Sequence, residues 1–201
     1  MGAEEAKLFA REGAKVVIAD IREEDARKVE AEIAEAGGEA LVAILDVTQE
    51  EQWEQAVAQT VAKFGRLDIL VNNAGYNKIM PALDVSEEDY DYIVDVNLKN
   101  VFFFSTAVAR HMIELSKGGR IINISSQVGV VGGPGRAVYT GAKGGVCNLT
   151  KSLAAEWAEH GITVNAIGPT MTRTPLAEKA MENPSFKAQV SKILMGRLAE
   201  P

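Results

Sequence analysis

"KVVIADIREEDARKVEAEIAEAGGEALVAILDV", Lys15 to Val47, reads as strand, helix, strand. Lys15 to Asp20 is a short apolar run that closes on an acid. From Arg22 the pattern changes: Ala26, Val29, Ile33 and Ala36 recur at helical spacing, and Gly37 and Gly38 end the run. Ala40 to Val47 is apolar again and carries Asp46 near its end. Strands that are apolar along their length, joined by a helix, predict parallel pairing with both faces covered.

The alternation continues outward. Thr48 opens a third helix, with Glu51 placed for a capping box and Trp53, Ala56, Val57, Thr60, Val61 and Phe64 on one face. Leu67 to Gly75 is a third strand running into a tight turn. A helix with a break is expected from about Ser86 to Leu115. Its "VFFF" (Val101 to Phe104) predicts burial between the sheet and another helix. Gly119 to Ser126 is a fourth strand. The helix after Tyr139 carries Val146, Leu149, Leu153 and Trp157 and ends at His160-Gly161. Ile162 to Pro169 is a fifth strand. One domain, an α/β doubly wound parallel sheet in three αβα layers with right-handed crossovers, is the expected architecture. In such sheets functional groups gather beyond the carboxyl ends of the strands. Asp20, Asp46, Asn72 to Gly75, Ser125, Ser126, Gly168 and Pro169 all stand there.

The composition excludes several classes. The 201 residues are 47% apolar, enough for one substantial core, and the net charge of −7 argues against nucleic acid or an anionic membrane surface as partner. No apolar run approaches the length of a bilayer span. One cysteine, Cys147, permits no intrachain disulfide and, with no signal-peptide pattern, predicts a reducing cytoplasm. Two histidines and one cysteine leave no basis for a structural metal site.

"YTGAK" (Tyr139 to Lys143) puts a phenol and an ammonium four residues apart, hence on one helix face. A nearby cation favours phenolate, so the pair can move a proton at an alcohol or carbonyl. Ser126 stands at a strand end thirteen residues before Tyr139, where its hydroxyl can meet the same oxygen. Taken singly, the Tyr139–Lys143 spacing favours a solvated helix contact, and Ser126 reads as a turn or cap hydroxyl.

Taken in order, "NNAG" (Asn72 to Gly75), Asn97 of "DVNLKNVF", "IINISS" (Ile121 to Ser126), "YTGAK" and "VNAIGPTMTRTPL" (Val164 to Leu176) resemble the short-chain dehydrogenase/reductase family, in its compact single-domain branch. The resemblance covers essentially the whole chain. It implies a Rossmann-like domain and an oxidoreductase that transfers hydride between a nicotinamide cofactor and an alcohol or ketone. Tyr139 is then the general acid/base. Lys143 lowers its pKa and holds the nicotinamide ribose, Ser126 holds the substrate oxygen, and Asn97 supports a proton relay or fixes a helix irregularity. Asp20 would bind the adenosine ribose, which favours NAD over NADP, although Arg22 stands close by. Asp46 and Val47 would meet the adenine, with Asn73, Ala74 and Gly75 along the adenosine side. Pro169, Thr172 and Thr174 would meet the nicotinamide. The loop from Met171 to Leu194 would cover the pocket, and a homo-oligomer, dimer or tetramer, is implied.

The family pattern is not matched everywhere. Thr170 stands where a glycine is usual, and Thr172 where an aliphatic residue is common. The family opens with a strand and a glycine-rich turn; here "MGAEEAKLF" reads as the tail of that turn, with Gly2 as its last glycine. The resemblance thus implies an incomplete domain over residues 1–201, lacking the family's first and last strands and binding NAD weakly or not at all. Sugar acids, polyols, hydroxy-steroids and 3-oxoacyl thioesters stay open as substrates. A catalytically silent dinucleotide-binding or interaction protein and a sugar-nucleotide epimerase are the alternatives on related scaffolds.

Overall fold

The computed structural model describes the backbone of residues 1–201 and every side chain except those of Pro175, Leu176 and Ser185. Helix α1 (Gly2–Arg11) leads into strand β1 (Val16–Asp20), helix α2 (Glu23–Glu35) and strand β2 (Ala40–Ile44). Helix α3 (Glu50–Phe64) and strand β3 (Ile69–Asn72) follow. Next come α4 (Glu87–Val94), a π-helical turn (Asp95–Lys99), α5 (Asn100–Leu115) and strand β4 (Gly119–Ile124). Then come α6 (Val128–Val131), α7 (Ala137–Trp157), strand β5 (Ile162–Ile167), α8 (Pro175–Ala180) and α9 (Pro184–Val190). Among the described residues no helix is long and apolar enough to cross a membrane.

All strand pairs are parallel, and the five strands fall into two sheets: β1 beside β2, and β3-β4-β5 with β4 in the middle. Register brings the strand ends level. Asn72 faces Asn123 across β3 and β4, and Ile124 faces Ile167 across β4 and β5. Helix α1 packs on α2, while α3 packs on α5 and α5 on α7. The main core lies where α5 and α7 cover the three-stranded sheet: Leu70, Val108, Met112, Ile121, Leu153 and Val164. A smaller cluster, Ala43, Leu45, Trp53 and Ala56, belongs to the β2 side. Phe104 packs against both clusters and stacks on Trp53, with ring centroids 6.4 Å apart. β1 and β3 are not hydrogen-bonded to each other, so this aromatic contact helps to join the two sheets.

Several local expectations are revised. The capping box at Thr48 does not form. Gln49 is the N-cap, and the Thr48 hydroxyl instead donates to Asp46 Oδ1 at 2.8 Å. An Asx turn has taken the residue that a cap would have used. The "VFFF" run is covered on one side only. Val101 is buried, whereas Phe102 and Phe103 are 38% and 41% exposed. The break in the long helix is the π-helical turn centred on Asn97. Helix α7 begins at Ala137 and so takes Tyr139 into its first turn. The 171–194 loop contains two short helices, the first capped by the Thr174 hydroxyl, which accepts from Ala177 N–H.

Beneath the strand ends lies a buried polar chain. The Asn72 amide donates to Ser105 Oγ (3.0 Å) and to Asn123 Oδ1 (2.8 Å). The Asn123 amide donates to Thr150 Oγ1 (2.9 Å), which donates to the Val146 carbonyl (2.7 Å). Two strands and two helices are thereby fixed together. Unpaired buried polar groups are costly, so the chain holds as a unit. Asn123→Ala leaves the Thr150 hydroxyl without its donor and removes one acceptor from Asn72. We expect a loss of about 2–3 kcal/mol, read from urea denaturation. A loss under about 0.5 kcal/mol would show that the network is not structural.

Candidate active site

Helix α7 presents Tyr139 and Lys143 on one face, as their spacing predicts, with Lys143 Nζ 5.8 Å from the Tyr139 ring centroid. Ser126, just past β4, stands close enough to the Tyr139 hydroxyl to favour its phenolate. Its hydroxyl also faces the Val128 N–H at 3.4 Å, the longest reach of a hydrogen bond, where α6 begins. Three groups nominated from three separate stretches therefore meet at the end of β4.

Lys143 is almost wholly buried, at 2% exposure. Its ammonium donates to the Ile124 carbonyl at 2.7 Å. Burial lowers its pKa to about 8, offset only in part by the neighbouring Cys147. Ser125, read from the sequence as structural, donates its hydroxyl to the Lys143 carbonyl at 2.8 Å and lies 3.1 Å from Cys147 Sγ. The Tyr139 phenol departs from expectation. Its pKa is raised because burial disfavours phenolate, and the opposing influences are the Ser126 hydroxyl and the charge of Arg136. Arg136 is the cation whose charge opposes burial here, while Lys143 Nζ lies 5.8 Å from the ring centroid. At neutral pH Tyr139 is a protonated acid.

Asn97 sits inside the π-helical turn and is fully buried. Its amide donates to the carbonyls of Tyr76 (2.6 Å) and Ile93 (2.8 Å), and its Oδ1 accepts from Tyr76 N–H (3.2 Å). The side chain is therefore spent on fixing the segment after "NNAG" to the helix. Asn97 fixes the helix irregularity, one of its two expected roles.

The remaining candidates line the strand ends. Asp20 closes β1, and its Oδ1 accepts from Arg22 N–H at 2.9 Å. Arg22 is shared by two acids, Asp20 at 3.8 Å and Asp25 at 2.9 Å. Asp46 Oδ1 takes the N–H of Thr48 at 2.9 Å, and the Val47 carbonyl takes the Trp53 indole N–H, also at 2.9 Å. Gly2 begins α1 so close to Asn73 that a methyl group there would stand 2.7 Å from the Asn73 amide nitrogen. A side chain on Gly75 would lie 3.2 Å from Asn97 Oδ1 and 3.6 Å from Lys143 Nζ. The open backbone at Gly75, with Ala74 beside it, is a cradle that a flat ring or a sugar can approach and that a Cβ would fill. The Pro169 carbonyl accepts from Gln127 N–H (3.1 Å), which holds the loop after β5 against the loop after β4. Thr170 stays out of the left-handed region that a glycine would permit. Thr172 bridges to Ala199 and donates its hydroxyl to the Thr170 carbonyl (3.1 Å), and Thr174 is the α8 cap.

The buried ammonium has a consequence for stability. Between pH 8 and its ordinary value of 10.5, Lys143 binds fewer protons in the folded chain than in the unfolded one. Stability from this group therefore rises with pH across that window. The raised Tyr139 acts in the opposite sense only above pH 10, where the unfolded phenol ionises first. We expect the denaturation midpoint of Lys143→Met, measured against the native chain, to lose this rise between pH 8 and 9.5. Parallel midpoint curves for the two proteins would refute it.

Comparison with known proteins gives the same picture. The family model described as short chain dehydrogenase matches residues 1–185. The chain is 41% identical over 202 residues to a cyclopentanol dehydrogenase of Comamonas sp. (strain NCIMB 9872), covering 100% of this chain and 80% of that one. It is 39% identical to a 3-oxoacyl-[acyl-carrier-protein] reductase of Thermotoga maritima, covering 96% and 78%. Among solved structures, a short-chain type dehydrogenase/reductase from Mycobacterium marinum superposes with a TM-score of 0.92 at 34% identity, covering 100% and 79%. With its parallel α/β architecture and with these relatives, the chain belongs to the short-chain dehydrogenase family of oxidoreductases.

Proposed function

We propose that this chain interconverts a secondary alcohol and a ketone, with Tyr139 as the proton-transferring group. The observation that carries the reading is that Lys143 lies over the Tyr139 ring on one face of α7, with Ser126 at the end of β4 close enough to influence the phenol. The nicotinamide cofactor, when bound, supplies the hydride chemistry. The protein's own residues supply orientation and the proton. Ser126 and Tyr139 hold one oxygen of the substrate between two hydroxyls. In reduction, Tyr139 gives its proton to that oxygen. In oxidation it takes the proton back, and this direction gains as pH rises, because the buried phenol resists ionising. Lys143, turned toward Ile124 and next to Gly75, is the group that would hold the nicotinamide ribose.

NAD is the proposed cofactor. Asp20 presents a carboxylate where the adenosine ribose would lie, and a carboxylate repels a 2′-phosphate. Arg22 does not offset this, because it is committed to Asp20 and Asp25. Self-association is part of the same reading. Tyr90, Tyr92, Phe102 and Phe103 leave an aromatic surface on α4 and α5 that a second copy would cover.

Two measurements test these proposals. Tyr139→Phe is expected to lower kcat by about 100- to 10,000-fold while NAD affinity, followed by calorimetry, stays that of the native chain, weak as that is expected to be. Unchanged turnover would overturn the role of the phenol. No turnover in the native chain on any secondary alcohol, with NAD still bound, would favour a silent dinucleotide-binding protein. Asp20→Asn is expected to raise the NADP-to-NAD ratio of kcat/KM by about tenfold or more. An unchanged ratio would remove Asp20 from cofactor choice.

A further inference from the structure

Arg136 is the residue that enters α7, three positions before Tyr139. It is half-buried, and it lines a small cavity together with Met80, Val85, Ile93 and Tyr139. Its main chain is held in place from outside the helix. Gly135, its neighbour, accepts from Met80 N–H at 3.0 Å, which pins the approach to α7 against the 76–81 segment. A second cation, Lys78, lines the same cavity but is already satisfied. Its ammonium donates to both oxygens of Asp89, at 2.7 and 2.8 Å. Arg136 has no such partner. Among the described residues no carboxylate lies within ion-pair distance of its guanidinium, and no hydrogen bond from it is found. This is notable in a chain with 28 acidic residues and a net charge of −7.

We propose that Arg136 is a specificity-determining residue that pairs with a carboxylate on the substrate, so that the chain acts on hydroxy acids and their keto acids. The proposal rests on the dehydrogenase reading above and names the substrate class for it. A guanidinium presents parallel N–H donors that match a carboxylate, and it is weakly hydrated, so it pairs well when half-buried. In this arrangement Tyr139 and Ser126 would take the carbinol oxygen and Arg136, lining the same cavity as Tyr139, the acid group. The wall of this shallow, solvent-open cavity of about 10 Å³ is apolar at Met80, Val85 and Ile93, so the carbon chain would lie across its mouth rather than inside it. The Tyr139 phenol already feels the Arg136 charge, which places the two groups in one electrostatic neighbourhood.

The test uses matched pairs of small probes: 2-hydroxypropanoate, 3-hydroxybutanoate and 4-hydroxypentanoate, each against its methyl ester. Binding to the chain is measured by calorimetry, and turnover with NAD is followed in parallel. For at least one chain length, the acid is expected to bind at least about tenfold more tightly than its ester. Arg136→Met is expected to reduce that acid-to-ester ratio by about tenfold or more, and Arg136→Lys to restore part of it, with folding checked by circular dichroism. Three outcomes would overturn the proposal: no acid preference in the native chain, a preference unchanged in Arg136→Met, or no binding of any probe. The two readings fail separately. Turnover of esters without acid preference sinks the role of Arg136 and leaves the dehydrogenase. An Arg136-dependent acid preference without any turnover keeps the anion contact and sinks the dehydrogenase.

Discussion

Helix α7 is tied to the end of β4 by two bonds that run in opposite directions. The Ser125 hydroxyl donates to the Lys143 carbonyl, and the Lys143 ammonium donates back to the Ile124 carbonyl. Both bonds are buried, so neither is traded for water without cost. They fix where the helix sits along the strand, and with it the height of Tyr139 above the sheet. Ser126 follows Ser125 directly, which leaves its hydroxyl in reach of the phenol. The meeting of Ser126 and Tyr139 therefore depends on a lysine whose own charge is directed elsewhere. A lysine used in this way is costly to bury, and its lowered pKa reflects that cost.

Much of this was legible before any coordinates. The apolar runs marked all five strands, because a strand covered on both faces has no alternation to obscure it. The four-residue interval put Tyr139 and Lys143 on one face, because helical geometry leaves no other choice. What escaped notice depends on long-range packing. Asn72 looked like part of a turn, yet its amide points into the interior toward Ser105 and Asn123. Only the register of β3 on β4 brings Asn72 and Asn123 together. Arg136, whose charge favours the Tyr139 phenolate, was passed over for a similar reason: a shared helix face singled out Lys143, whose ammonium the Ile124 carbonyl takes. A cue was available: an arginine at a helix entry, three residues before a tyrosine, with no acid within four residues on either side.

The two sheets divide the candidate site between them. Asp20 and Asp46 follow β1 and β2, while Ser126, Tyr139 and Lys143 belong to the β3-β4-β5 side. No backbone ladder crosses from one to the other, and the stacked rings of Trp53 and Phe104 belong to the side-chain contact that does. On the proposed reading, a dinucleotide reaching from Asp20 to Lys143 spans this seam. Part of its binding energy then goes into holding the halves in register, since whatever binds only the assembled form stabilises it.

The π-helical turn at Asp95 to Lys99 takes up a surplus residue. Such a turn carries one residue more than an α-helix needs for the same advance. Deleting that residue would restore ordinary winding and leave α5 in phase, but it would remove the irregularity at which Asn97 holds Tyr76. Val101, Val108 and Met112 would still face inward, with Phe102 and Phe103 on the exposed side. One surplus residue thus lets Asn97 clamp Tyr76 while α5 keeps its greasy side on the sheet.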